Sequence, residues 1–93
     1  MIRSFADKPT AHVFQGILPK SMARDLALAA RRKLVMLDAA ERLEDLRVPP
    51  GNRLEALRGD RAGQHSIRIN GQWRITFVWR DDGAHEVEIV DYH

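Results

Sequence analysis

The sequence predicts an α+β domain, with helices packed on one side of an antiparallel sheet. Three observations carry this prediction. The hydrophobic period changes after Gly51, from helical to alternating. Val48-Pro49-Pro50-Gly51-Asn52 separates the two regimes and ends any helix before it. Asn70-Gly71, the dipeptide most associated with β-hairpins, lies between two alternating runs. A chain of 93 residues amounts to one domain with a modest core, spanning 1–93.

The expected element order is β-α-α-β-β-β-β. "MIRSF" alternates apolar and polar and reads as a short first strand. Pro9 opens a short helix in "PTAHVFQGI", with Gly16 near its end. A second helix is expected from Ser21, as N-cap, to about Leu46. Leu26, Ala30, Leu34, Leu37 and Leu43 form its inner face. "RLEALR" is a candidate strand, "GDRAG" a turn, and "QHSIRI" and "WRITFVW" are the arms of a hairpin. A two-residue turn would set polar residues against apolar ones. A three-residue loop, Ile69-Asn70-Gly71, pairs Ile67 with Trp73 and Ser66 with Arg74 instead. It buries Trp73, Ile75, Phe77 and Trp79, and gathers Ser66, Arg68, Arg74 and Thr76 on a face left free. "HEVEIVDYH" is the last strand.

Composition excludes several classes. No run of apolar residues is long enough to span a membrane. "MIRSFADKPTAH" lacks the apolar core of a signal peptide, so a cytoplasmic location is expected. The absence of cysteine removes disulfides, thiol catalysis and thiolate metal sites. His12, His65, His85 and His93 show no metal-ligand spacing, and neither a metal nor another cofactor is expected. The net charge of +2 is unevenly spread. Residues 51–80 hold six arginines, no lysine and two acids, whereas the last thirteen residues hold five acids and no Arg or Lys. Arginine suits phosphate because its planar fork meets oxygen pairs. From charge alone, a solvated sheet face is the plainer reading.

The arginine face and the chain end make one chemistry worth considering. RNA can be cut without a metal when its ribose hydroxyl attacks the neighbouring phosphate. That reaction needs a base, an acid, and cations for the added phosphate charge. His93, Tyr92 and Glu55 are candidate proton carriers, and Asp91 can orient a neighbour. Arg58, Arg61 and Arg74 are candidate charge stabilisers, with Arg68 a weaker one. Tyr92 is equally suited to stacking on a base. Taken one by one, these residues also have structural readings: a solvated terminal histidine, a half-buried strand tyrosine, a solvated strand glutamate. Strand parity sets Val87, Ile89, Asp91 and His93 against Glu88, Val90 and Tyr92. With Val87 and Ile89 in the core, Tyr92 falls on the arginine face and His93 on the other.

The order "MIRSF", "LDAA", "LxxLxGDRxGxxSIxxNxQWRITF", "DYH" runs over nearly the whole chain. It resembles the HigB-type toxins of the RelE/ParE superfamily. The resemblance implies a compact RelE-like domain and a ribosome-dependent endoribonuclease that cleaves messenger RNA in the decoding site of the small subunit. It also implies a HigA-like helix-turn-helix antitoxin, through which alone DNA would be met. By motif, Asp91, Tyr92 and His93 match the family's functional triplet, and Arg58, Arg61 and Arg74 its basic set. Glu55 is a departure, since some members hold a histidine there. The ParE branch poisons DNA gyrase on the same fold, so a gyrase inhibitor and a non-catalytic RNA- or protein-binding module stand as the other readings.

Overall fold

Asp7 starts the helical part of the chain: its Oδ1 accepts the Thr10 N–H at 2.8 Å. With Pro9 in the first turn, helix α1 runs Lys8–Phe14. In the computed structural model, which describes residues 1–91, α1 is followed by α2 (Arg24–Ala39). Then come β1 (Glu55–Ala56), β2 (His65–Arg68), β3 (Trp73–Arg80) and β4 (Gly83–Asp91). The four strands form one antiparallel sheet in the order β1-β2-β3-β4.

Helix α2 buries Ala27, Ala30, Leu34 and Leu37 along one stripe. Ala23, not Ser21, occupies its N-cap, and no side chain bonds there. The helix also ends seven residues short of Leu46. Asp45 is the cause. Its Oδ2 accepts the backbone N–H groups of Glu41 and Arg42, both at 3.0 Å, and starts a separate 3-10 turn over Leu43–Arg47. These bonds, Arg42's first, hold the Asp45 carboxyl below the usual carboxylate range. The turn swings Leu46 fully into the core.

Ile67, Ile75, Phe77 and Val87 meet Leu34, Leu37 and Leu46 in that core, with Trp73 and Trp79 half-buried at its margin. The hairpin register is Arg68 to Arg74, Ile67 to Ile75 and Ser66 to Thr76, two residues away from the expected pairing. Asn70 moves it. Its Oδ1 accepts from Gln72 N at 2.8 Å and Trp73 N at 2.9 Å, which shifts the loop toward the start of β3. A slip of two preserves side-chain parity, so the two faces carry the residues expected of them.

The N-terminal segment is not a full strand. It lies parallel to β4 through two isolated bridges, Ile2 to Ala84 and Phe5 to Val87. The ladder breaks between them because β4 bulges: the register with β3 shifts between Thr76 and Val78, and Glu86 takes φ +51°. The bulge puts Ala84 as well as Val87 and Ile89 into the core, which strict alternation would forbid. Gly83 allows the close approach, since a Cβ there would lie 2.0 Å from the Met1 carbonyl oxygen. Among the described residues no helix is long and apolar enough to cross a membrane.

Candidate functional site

The second sheet face is not left free. The segment from Asn52 to Arg61 flanks it and reaches into it, with the Arg53 carbonyl and Glu55 meeting Arg74 and Arg61 meeting Thr76; Ser66, Thr76 and Arg74 are buried, Arg74 at 6% exposure. This corrects the expectation of an open arginine surface. The reason lies in Asn52, which is fully buried. Its Nδ2 donates to the carbonyls of Leu46 (3.1 Å) and Val48 (3.4 Å) and to Met36 Sδ (3.1 Å). Its Oδ1 accepts from Lys33 Nζ at 2.6 Å. Asn52 thus nails the linker to α2 and aims Arg53 and Glu55 across the sheet. Burial, then the charges of Arg32 and Arg68, pull the Lys33 ammonium below its ordinary pKa.

Arg74 is the buried strut of this face. Nε donates to Ser66 Oγ at 2.9 Å, and Nη2 to the Arg53 carbonyl at 2.6 Å. Nη1 lies 3.6 Å from Glu55 Oε1. The Glu55 side chain is itself 48% exposed, so a buried cation holds a carboxylate at the protein surface. β1 is only two residues long, yet it fixes Glu55 opposite Ser66 and on the Arg74 face. Beyond it the chain turns through a 3-10 element, Gly59–Arg61, with Gly59 at φ +65° and Gly63 at φ +92°. Leu57 N closes the loop by donating to the Gln64 carbonyl at 2.9 Å.

Between β1 and this loop lies an open cleft of ≈ 640 Å³, lined by Glu55, Ala56, Leu57, Arg58 and Arg61. That volume is within the range of small-ligand sites. Three of the expected site residues therefore share one cleft, and Arg74 stands behind it. Arg68 does not reach it. It lies on the same sheet face as Arg74, but its Nη2 runs beside Gly71 under the β2–β3 loop. Asp91 is exposed opposite Trp73, and its Oδ2 accepts from Gln72 Nε2 at 3.1 Å. Its neighbour Val90 pairs with Arg74. Tyr92 and His93 lie outside the described residues.

Behind Arg61, at the margin of the cleft, stand groups that were not among the expected site residues. Glu88 stands opposite Thr76 on the arginine face, and its Oε1 is 3.8 Å from Arg61 Nη1. The same nitrogen donates to Gln64 Oε1 at 3.0 Å and Thr76 Oγ1 at 3.3 Å. Strand parity placed Glu88 with Val90, which was the available signal. Gln64 opens "QHSIRI" with the parity of Ser66 and Arg68, the same signal, although β2 itself begins at His65. Taken together, a surface carboxylate backed by a buried guanidinium sits beside cations that face the cleft. Such a set can carry a proton and balance a phosphate's charge.

Residues 3–93 match the family model of the RelE-like toxin of type II toxin-antitoxin system HigB. Toxin HigB-1 of Vibrio cholerae is 56% identical over 53 residues, 57% of this chain and 56% of that protein. An uncharacterised protein of Haemophilus influenzae is 37% identical over 65 residues, 70% of this chain and 60% of its own length. The chain thus aligns with somewhat more than half the length of these two relatives. Endoribonuclease HigB of Proteus vulgaris is 34% identical over 98 residues, with both chains covered in full. The chain belongs to the HigB family of RelE-like toxins of type II toxin–antitoxin systems.

Proposed function

We propose that this toxin is an endoribonuclease that cleaves messenger RNA on the ribosome, without a metal or other cofactor, and so arrests translation. The observation that carries the reading is the Glu55–Arg74 pair, a surface carboxylate oriented by a buried guanidinium at the lip of a cleft with Arg58 and Arg61. In this reading Glu55 takes the ribose hydroxyl proton. Arg61 and Arg58 face the phosphate. Arg74 acts through Glu55, because its own nitrogens are engaged inside the protein. Asp91, Tyr92 and His93 complete the site as orienting group, base-stacking phenol and second proton carrier. Arg68 is left to the margin. The full-length alignment with Endoribonuclease HigB supports the reaction class.

The partner implied by the family is an antitoxin, here a HigA-like helix-turn-helix protein that would also make the only link to DNA. The working site would be the messenger in the small subunit of the cytoplasmic ribosome. The test is induced expression of the wild type, Glu55→Gln and a chain lacking Tyr92-His93, with messenger ends mapped on translating ribosomes. Expected is cleavage by the wild type, a loss of about 10²-fold or more in Glu55→Gln, and none in the truncated chain. Growth arrest with intact messages and inhibited gyrase would overturn the reading in favour of a ParE-like action.

A further inference from the structure

Arg61 differs from Arg74 in how its guanidinium is used. Its polar contacts to described residues meet at one nitrogen: Gln64 Oε1 at 3.0 Å, Thr76 Oγ1 at 3.3 Å and Glu88 Oε1 at 3.8 Å, each from Nη1. The side chain is 42% exposed and lines the cleft. Its backbone is held in the closed loop between Gly59 and Gly63, where Gln64 N donates to the Arg61 carbonyl at 3.0 Å. Three oxygens from two strands and a loop thus grip one corner of the fork. The opposite edge, Nε–H and Nη2–H, meets no acceptor among the described residues.

The geometry points to Glu88 as a positioning residue for phosphate recognition. With Thr76 and Gln64 it clamps Arg61 by Nη1, so that the Nε–Nη2 edge is presented to a phosphate in the cleft. A guanidinium binds phosphate through two parallel donors, and an arginine already fixed in that pose loses less rotamer freedom on binding. The inference rests on the proposed RNA-cleaving site and assigns a role to a residue outside the family triplet. It runs against simple electrostatics, since an acid beside a phosphate site should weaken binding.

That opposition supplies the test. In the full chain, single-turnover cleavage on programmed ribosomes is measured for the wild type, Glu88→Gln, Glu88→Ala and Arg61→Ala. Positioning predicts that Glu88→Ala raises the half-saturating toxin concentration by about fivefold, the upper end for an exposed ion pair, with little change in the limiting rate. Glu88→Gln, which keeps an acceptor, should recover most of that loss. The Glu88→Ala effect should vanish in an Arg61→Ala background. Tighter half-saturation in both Glu88 variants at low salt would show that Glu88 is merely a repelling charge and would overturn the inference. So would equal losses in the two, or an undiminished effect without Arg61. A second readout needs neither ribosome nor activity: the Arg61 Nε–H order parameter in the free protein should fall in Glu88→Ala and hold in Glu88→Gln. A wild type that does not cleave would sink the proposed function, while an ordered Arg61 in Glu88→Ala would sink the positioning role alone.

Discussion

Arg74 and Glu55 form one unit with two different duties, and single substitutions should separate them. Arg74 is buried with donors committed to Ser66 and to the Arg53 carbonyl. Arg74→Met removes both and strands their acceptors. We expect it to lower stability by roughly 2–4 kcal/mol, read as a fall in Tm, and activity to fall with it. Glu55→Gln keeps shape and an acceptor at an exposed position. Its Tm should stay within a few degrees of wild type while cleavage falls. Asn52→Leu makes a purely structural comparison: it leaves the Leu46 and Val48 carbonyls without their donor and should cost about 1–3 kcal/mol. A Tm no lower than wild type for Asn52→Leu would refute the anchor role. The residue identities at the site were legible, because arginine and glutamate announce charge. Their duties were not. Nothing in "QWRI" tells a phosphate-binding arginine from a buried strut, and "PPGN" reads as a turn whether or not Asn52 points inward.

Elements were legible wherever hydrophobic period and turn chemistry agreed. Strands β2, β3 and β4 and the Ala30, Leu34 and Leu37 stripe of α2 follow from the pattern, with Ala27 buried in place of Leu26 and Leu43 outside the helix, and even a misplaced hairpin loop left the faces right. Period fails where one side chain overrules it. Asp45 cut the second helix short, and Asn70 reset the turn. The bulge in β4 is the most consequential case. It shifts parity midway along the strand, so that Glu88 and Val90 reach the site face while Ala84 stays in the core. Its cost sits at Glu86, which holds φ +51° without being glycine. Glu86→Gly should therefore be neutral or stabilising by up to about 1 kcal/mol. Gly83→Ala should do the opposite, since its Cβ would strike the Met1 carbonyl and lift the N-terminal segment from β4. Thermal melts of the pair, with amide exchange at Ala84 and Val87, check both signs. Destabilisation by Glu86→Gly would mean that the bulge carries no strain.

At the scale of the whole molecule, the excess of arginine between residues 51 and 80 divides into groups with different electrostatic fates. Arg58 and Arg61 face the cleft. Arg74 spends its charge on Glu55 and internal oxygens, and Arg68 lies under the β2–β3 loop near Lys33. A net charge of +2 therefore understates the local field at the cleft, whereas the count of six arginines overstates the number of cations there to meet a polyanion. Binding to a single-stranded oligoribonucleotide that cannot be cleaved measures that number directly, because each neutralised phosphate contributes about −0.7 to the slope of log K against log salt. Arg58→Ala and Arg61→Ala should each flatten the slope by roughly one such increment. Arg68→Ala should leave it unchanged. Arg74→Lys, which keeps the charge but loses the fork, should weaken affinity through misplacement of Glu55 while keeping the slope. A slope that drops with Arg68→Ala as much as with Arg61→Ala would mean that RNA crosses the β2–β3 loop and not the β1 cleft. The distinction turns on which donors are already occupied, a property of the folded chain that no count of charges along the sequence contains.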